Sequence, residues 1–266
     1  MEKVNVDGIN IAYDRRGKGV PLILIHGYPL DHTIWDEVAL SLTEEFDLII
    51  PDLRGFGESD VMEADDSIID YATDVAGLLN HLKIKRAYLV GHSMGGYVVL
   101  AFAREFPERV SGLGMVSTQT LADTPERKES RLATAKQVLV EGVGIVAESM
   151  TPKLSENVRV QDYVRSLIIR QRPLGIYSAL NAMAERPDST ELFTTFKFPT
   201  VIVHGGADAL ISVERGREMK AVLPSAHYLE LAGLGHMPMM ENPQAVADAI
   251  RFFVNVKVKS VRLMDK

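Results

Sequence analysis

Gly91-His92-Ser93-Met94-Gly95 lies between two apolar runs, Ala87 to Val90 and Gly96 to Ala103. These patterns predict a strand, a sharp turn and a helix in that order, with Ser93 at the turn. The small residues two positions before and after the serine let the chain turn tightly, so that the hydroxyl is exposed at the carboxyl edge of a sheet. Because such a pentapeptide arises by chance in roughly one chain in ten, the residues that can assist Ser93 decide its role.

The composition is that of a globular protein without nucleic-acid or membrane partners. Of 266 residues, 46% are hydrophobic and 24% are charged, which leaves ample apolar side chain for a large core. Acidic residues outnumber basic ones by 36 to 29, and the net charge of -7 argues against binding nucleic acid. No signal-peptide pattern and no run of membrane-spanning length occurs, which predicts a cytoplasmic protein. The absence of cysteine excludes thiol catalysis and disulfides.

Short apolar runs alternate with helical patterns along most of the chain. Two alternating segments around Asp7-Gly8 predict an antiparallel hairpin at the start. The next apolar runs lack two-residue alternation, as expected for parallel strands buried on both faces: Val20 to Ile25, Leu48 to Ile50, Ala87 to Val90, Leu113 to Val116 and Thr200 to Val203. Helical spacing occurs in Asp31 to Thr43, Ser67 to Leu82, Met94 to Arg104 and Pro243 to Val254. The alternation predicts an α/β fold with a mostly parallel sheet flanked by helices.

The alternation stops in the middle of the chain, where only helical patterns occur. They cover Pro125 to Val143, Gly144 to Met150, Asn157 to Arg170 and Leu174 to Ala184, with breaks expected at Pro152, Pro173 and Pro187. We therefore predict a core of residues 1–118 and 199–266 and an inserted helical cap of residues 119–198. The final ten residues alternate between basic and apolar types and are left unassigned.

Ser93 needs a base and a carboxylate, because an unassisted serine hydroxyl is a poor nucleophile near neutral pH. Seven histidines are present, and only His236 follows the last predicted strand in a loop of small and flexible residues. Asp208 lies just beyond another strand pattern, whereas Asp123 and Asp188 fall in or beside the predicted cap and are weaker candidates. Ser93, Asp208 and His236 are thus predicted as nucleophile, orienting acid and base, because the carboxyl ends of parallel strands meet at one edge of the sheet.

Backbone N–H groups beside Ser93 are the predicted oxyanion donors. Met94 N–H lies at the start of the helix that follows the serine and gains from the helix dipole. Tyr28 N–H lies in the loop after the first central strand, where Gly27 permits a close approach. Whether the peptide bond between Tyr28 and Pro29 is cis is left open.

Three further residues are predicted to contact the substrate. Met150 and Met237 offer a pliable apolar wall for an acyl chain. Pro29, beside the predicted oxyanion loop, is the third.

The glycine-rich stretch from Asp52 to Ser59 indicates a tight loop after a strand. Gly55 and Gly57 begin the spacing of a dinucleotide fingerprint, but Asp60 stands where a third glycine belongs and no helix opens there. Spacings typical of a phosphate-binding lysine loop, a zinc protease or a calcium loop are missing as well. We expect no cofactor and no metal.

Together, these motifs resemble the α/β-hydrolase superfamily with a helical cap, over nearly the whole chain. They are His26-Gly27, Asp52-x-Arg54-Gly55-x-Gly57-x-Ser59, Gly91-x-Ser93-x-Gly95, Asp208 and Gly235-His236. The sequence is most similar to the small esterase and 3-oxoadipate enol-lactonase branch, a likeness that Ala182 to Ser189 shares. The resemblance implies an eight-stranded core, a cap inserted after the sixth strand and hydrolysis through an acyl-enzyme. Epoxide hydrolases and haloalkane dehalogenases are similar to this sequence, but they have aspartate at the position of Ser93. The serine therefore argues against both activities.

The expected activity is that of a serine carboxylesterase acting on a small carboxylic ester. A lactonase is the nearest alternative, and Pro29 is also similar to the proline of perhydrolases and cofactor-free haloperoxidases. A carbon-carbon bond hydrolase or hydroxynitrile lyase has no distinguishing residue in the sequence. A non-enzymatic alternative is a ligand-binding receptor, because a fold does not determine function.

Overall fold

Eight strands form one sheet in the part of the chain that the computed structural model describes, residues 1–62 and 66–264. They are β1 Glu2–Val6, β2 Ile9–Arg16, β3 Val20–Ile25, β4 Phe46–Pro51, β5 Ala87–His92, β6 Val110–Val116, β7 Thr200–Gly205 and β8 His227–Leu231. The order across the sheet is β1-β2-β4-β3-β5-β6-β7-β8. Only β2 runs antiparallel to its neighbours, β1 and β4, among these strands. The predicted α/β fold with a mostly parallel sheet is confirmed.

The α-helices cover the sheet and fill the segment between β6 and β7. They are α1 Asp36–Leu42, α2 Ile68–His81, α3 Met94–Glu105, α4 Pro125–Glu141, α5 Gly144–Leu154, α6 Val158–Ile169, α7 Pro173–Glu185, α8 Thr190–Thr194, α9 Val213–Val222, α10 Pro238–Glu241 and α11 Pro243–Met264. We call the segment between β6 and β7, which holds α4 to α8, the helical insertion. None of the helices in the described residues has the length and apolar character to cross a membrane.

The central strands form because their side chains are buried on both faces. Every residue of β5 and β7 is buried, as are the last four of β3, so continuous apolar runs replace the alternation of a half-exposed strand. The first hairpin turns at Asp7 and Gly8, whose φ angles of 48° and 97° are those of the tight turn predicted there.

Helix boundaries differ from the sequence prediction at several points. Residues His32–Trp35 form a 3₁₀ turn before α1, and α8 was not predicted. Helix α5 continues past Pro152 to Leu154, because the buried side chains of Thr151 and Leu154 hold its last turn against the core although Pro152 donates no hydrogen bond. Helix α11 extends beyond Val254 into the residues that the sequence left unassigned.

The carboxyl ends of the parallel strands bring the candidate residues to one edge of the sheet. Ser93 directly follows β5, and Asp208 follows β7 by three residues. His236 lies in the loop after β8, and Tyr28 lies in the loop after β3. The division into core residues 1–118 and 199–266 and cap residues 119–198 stays a prediction.

Asp52 supports the loop after β3 from its position directly behind β4. Its Oδ1 accepts a hydrogen bond from His32 N at 2.8 Å and lies 2.8 Å from His32 Nδ1. The next N–H, of Leu53, donates to His26 Nε2 at 2.9 Å. Burial lowers the pKa of His26, which keeps the imidazole neutral and able to accept that bond. The loop that carries Tyr28 is therefore held by hydrogen bonds from the neighbouring strand end.

Stability should depend on pH through the His32 and Asp52 pair. Burial lowers the pKa of His32, but the hydrogen bond and charge of Asp52 outweigh it and raise that pKa above 6.5. Burial raises the pKa of Asp52, but His32 and other donors outweigh it and lower that pKa below 3.8. The contribution of His32 is therefore complete below pH 6.5 and is lost as the pH rises through its folded pKa, and that of Asp52 is lost on acidification below 3.8.

The variant His32→Gln should lower the free energy of unfolding by about 1 kcal/mol between about pH 4 and 6.5, where both groups of the pair are charged. Urea unfolding of both proteins at several pH values measures the difference, which should shrink in alkaline solution. An equal difference in mildly acidic and alkaline solution would contradict the role of the charged pair.

Candidate active site

Ser93 lies in a strained turn between β5 and α3. Its backbone angles are φ 53° and ψ -112°, a conformation that a residue with a side chain rarely adopts. A Cβ atom on Gly91 would lie 2.2 Å from Gly95 O, and one on Gly95 would lie 2.5 Å from Ile25 O. The two glycines therefore let α3 and β3 close around the turn, and Ser93 N donates to Val116 O at 2.9 Å.

His236 is held by three hydrogen bonds, two through its backbone and one through its ring. Its N–H donates to Leu154 O at 3.0 Å, and its carbonyl oxygen lies 2.9 Å from His92 Nε2. Ring atom Nδ1 lies 2.6 Å from Asp208 Oδ2. Because a carboxylate only accepts, Nδ1 carries the proton and Nε2 is left with a free lone pair.

Asp208 is an ionised carboxylate in a buried position. Its Oδ1 accepts from the N–H groups of Leu210 at 2.8 Å and Ile211 at 2.9 Å, and its Oδ2 accepts from His236. Burial raises the pKa of Asp208, but the charge and hydrogen bond of His236 and the two backbone donors outweigh it and lower the pKa below its ordinary value. The side chain therefore orients His236 in a fixed charge state near neutral pH.

His92 positions His236 by a hydrogen bond to its backbone, a role that the sequence did not predict. Burial lowers the pKa of His92 well below its ordinary value, so the imidazole is neutral. Since His236 O can only accept, the Nε2 atom of His92 is the donor across that 2.9 Å contact. The two rings also lie 4.8 Å apart at 56°. In the sequence, the only signal for a role of His92 is that it directly precedes Ser93.

The loop after β3 packs directly against the serine turn. A Cβ atom on Gly27 would lie 2.6 Å from His92 Nδ1 and 2.9 Å from Ser93 Cβ. Tyr28 is next in this loop, and its peptide bond to Pro29 is cis. Met94 N–H belongs to the first turn of α3, where the helix itself provides no acceptor. Both predicted oxyanion donors thus belong to segments that adjoin Ser93.

A cavity of about 360 Å³ opens above Ser93. Core residues Tyr28, Ser93 and His236 line it together with residues of the helical insertion, among them Met150. Met237 and Pro29 are not among the described residues that line it, although both were predicted as substrate contacts. Met237 is fully buried and packs into the core at the start of α10. Of the three predicted substrate contacts, only Met150 is thus among the described residues that line the cavity.

One group of side chains has the composition of a metal site. Ligand atoms of Asp31, His32 and Asp52 lie within 4.8 Å of one another. These atoms already serve other partners: Asp31 Oδ1 accepts from Thr33 N at 3.1 Å, and His32 bonds to Asp52. The cluster acts as support for the loop after β3.

The family model described as alpha/beta hydrolase fold matches residues 20–243. The chain belongs to the α/β-hydrolase family. An esterase of Thermogutta terrifontis, solved with malate bound, is 38% identical and superposes with a TM-score of 0.92 over 96% of this chain and 98% of its own. The resemblance stated from the motifs is thereby confirmed, and the family makes the protein a hydrolase.

Two further α/β hydrolases mark the range of related activities. Lipase 1 of Psychrobacter immobilis is 26% identical over 94% of this chain and 82% of its own length. The enol-lactonase of Burkholderia xenovorans LB400 shares the fold, with 23% identity and a TM-score of 0.88 over 96% of this chain and all of its own. The enol-lactonase, at 23% identity, shows a shared fold alone.

Glu241 joins the loop of His236 to the helical insertion. Its Oε2 accepts from Gly235 N at 2.7 Å, and its Oε1 accepts from Ser155 Oγ. Together with the bond from His236 N to Leu154 O, these contacts hold the end of α5 against the loop that carries His236. The sequence offered no signal for this role, because Ser155 lies 86 residues from Glu241 along the chain.

The variant Glu241→Ala should lower kcat by about tenfold or more, with a smaller change in KM, because His236 loses its positioning while the substrate pocket stays. Steady-state kinetics on a neutral aryl ester measure both constants. Glu241→Gln keeps one acceptor and should fall between the variant and the wild type. Equal kcat values for all three proteins, with unchanged melting temperatures, would show that Glu241 does not position the base.

Proposed function

We propose that the protein is a carboxylesterase that cleaves small esters through an acyl-enzyme on Ser93. The observation that carries the proposal is the 2.6 Å contact between His236 Nδ1 and the buried carboxylate of Asp208, beside the cavity that Ser93 and His236 line. This arrangement leaves Nε2 of His236 as the proton acceptor that a serine nucleophile needs.

The reaction proceeds in two halves. Ser93 Oγ attacks the carbonyl carbon of the ester while His236 Nε2 takes the hydroxyl proton. The bond to the leaving oxygen then breaks, and the imidazolium returns its proton to the departing alcohol. Water repeats the sequence on the acyl-enzyme, releasing the acid and restoring Ser93. Asp208 stabilises the imidazolium in both halves and keeps its own charge.

The negative charge on the attacked oxygen is stabilised by the backbone N–H groups of Tyr28 and Met94. Support comes from the packing of Gly27 against Ser93 and from the start of α3 at Met94, whose dipole favours an anion. Because both donors are backbone groups of packed segments, they need no reorganisation when charge develops. The helical insertion acts as a cap that limits the access of water to this site.

A lactone is the second substrate that the same groups can open. The chemical steps are identical, except that the leaving oxygen stays attached to the acyl chain and shares the cavity with it. The enol-lactonase likeness favours this candidate to the extent that the two proteins share a fold. Parallel assays with an aryl ester and a lactone of equal carbon number distinguish the two activities.

The variant Ser93→Ala should lower kcat for a short-chain aryl ester by at least about a thousandfold, because no other group can form the acyl-enzyme. A fluorophosphonate probe should label the wild type at Ser93, and peptide mass spectrometry locates the adduct. Labelling elsewhere, or undiminished turnover by the variant, would refute the proposal. Activity that requires peroxide would favour a perhydrolase instead.

The variant Asp208→Asn should lower kcat by about ten-thousandfold, because an amide favours the wrong histidine tautomer. The low pKa of Asp208 means that the wild-type carboxylate stays ionised through neutral pH. The loss should therefore be similar across about pH 5 to 8. A rate profile recorded at several pH values checks this, and recovery of the variant at one end of that range would contradict the assignment.

A further inference from the structure

Helix α4 presents a polar stripe to the cavity above Ser93. The stripe consists of Arg127, Ser130, Arg131 and Thr134, all of which line the cavity. Their spacing of three, one and three residues is that of one helix face, which is normally apolar where a helix faces the interior. The buried apolar residues of α4 are only Ala135 and Val138 among those described. This helix thus turns cationic and hydroxyl groups toward the substrate space.

Helix α5 adds a second stripe that ends in a lysine. Val146, Ser149, Met150 and Lys153 line the cavity with the same spacing. Lys153 Nζ has no hydrogen-bond or ion-pair partner among the described residues, so its charge is available to a ligand. No aspartate or glutamate is among the described residues that line the cavity. Leu180 and Met183 of α7 add apolar lining beside the stripe of α4, and Met183 Sδ lies 3.5 Å from Arg131 Nη1.

The positive charge at the cavity exceeds what the nearby carboxylate can neutralise. Asp123, whose side chain is fully buried, lies 2.5 Å from Arg131 Nε, 2.9 Å from Arg186 Nη1 and 3.6 Å from Arg127 Nε. Arg186 also donates to Met183 O and Leu121 O, and its side chain is buried. One carboxylate cannot neutralise three arginines, so this group carries two positive charges in excess, and Lys153 adds a third.

A hydroxyl group in the cavity wall also lacks a partner. Tyr28 is 6% exposed and lines the cavity, and its hydroxyl oxygen has no hydrogen-bond partner among the described residues. Burial raises the pKa of this hydroxyl, and the charge of Arg131 lowers it, so the two groups lie within electrostatic reach. A buried donor without a partner costs free energy unless a ligand satisfies it.

We propose that the substrate carries a carboxylate away from its scissile bond, bound by Arg127, Arg131 and Lys153. The proposal rests on the esterase or lactonase function of Ser93 and names its substrate class. The whole chain has a net charge of -7, so this positive cavity is a local exception that selects an anion and orients it. Arginine and lysine donors suit a carboxylate, because charge-assisted hydrogen bonds are stronger than neutral ones.

Two pairs of esters test the proposal. In the first pair, the 4-nitrophenyl monoester of adipic acid is compared with its methyl-capped form, which places the charge on the acyl side. In the second pair, the hexanoyl ester of 4-hydroxybenzoate is compared with its methyl ester, which places the charge on the alcohol side. The wild type should prefer the anionic member of at least one pair by about tenfold or more in kcat/KM. That preference should shrink at high salt.

Charge reversal at one lysine identifies the groups that recognise the anion. Lys153→Glu should lower the anionic preference by about tenfold or more, and Arg127→Gln should lower it in the same direction. Lys136 lies on the same helix as Arg127 but is exposed and does not line the cavity. Lys136→Glu changes the net charge by the same amount as Lys153→Glu and should keep the preference within about twofold. Melting temperatures confirm that the variants are folded.

The outcomes separate this inference from the proposed function. A wild type that labels with the serine probe and hydrolyses the neutral esters at least as well as the anionic ones would overturn the anion site alone. Equal effects of Lys153→Glu and Lys136→Glu would assign the preference to the overall charge and overturn it too. If neither pair is hydrolysed and Ser93 is not labelled, the proposed function itself fails.

Discussion

The conformation of Ser93 is the constraint on which the rest of the site depends. Its backbone angles, φ 53° and ψ -112°, are unfavourable, and this conformation is retained only because the surrounding packing leaves no alternative. Gly91 permits the contact of β5 with α3 and Gly95 permits that of α3 with β3, and the second contact brings the loop of Tyr28 to the serine. The strain is thus maintained by the same packing that brings the proposed oxyanion donors to Ser93, so the local cost is offset by burial in the core.

Burial separates the charge states of neighbouring groups at the site. Asp208 keeps its charge because His236 and two backbone donors stabilise it, whereas burial outweighs the nearby charges and hydrogen bonds of His92 and His26 and keeps both imidazoles neutral. Neutral His92 can therefore hold the backbone of His236 without repelling the imidazolium that the proposed reaction forms there. Asp208 is therefore the charged partner of His236, the proposed base, while the neighbouring histidines His92 and His26 are neutral.

Much of the core could be predicted because its signals are local. Buried parallel strands are continuous apolar runs, and the residues after them, such as Ser93 and Asp208, must meet at one edge of the sheet. The role of Glu241 was out of reach, because Gly235 and Ser155 become its partners only in three dimensions. The polar stripe of α4 was visible as spacing, but the sequence could not tell that this face points inward. Amphipathic patterns identify two faces of a helix without saying which one is buried.

The bonds from Leu154 and Ser155 to the loop of His236 have a consequence for how this fold can diversify. The end of α5 helps to hold the loop of the proposed base, although it lies in the helical insertion. Helices α4 and α7 pack on each other and contribute cavity walls, and no hydrogen bond joins them to that loop among the residues that the structure describes. Substitutions in α4 and α7 can therefore change the cavity lining without disturbing the loop of His236. Replacing the whole helical insertion would instead remove the hydrogen bonds from Leu154 and Ser155 that help to hold that loop.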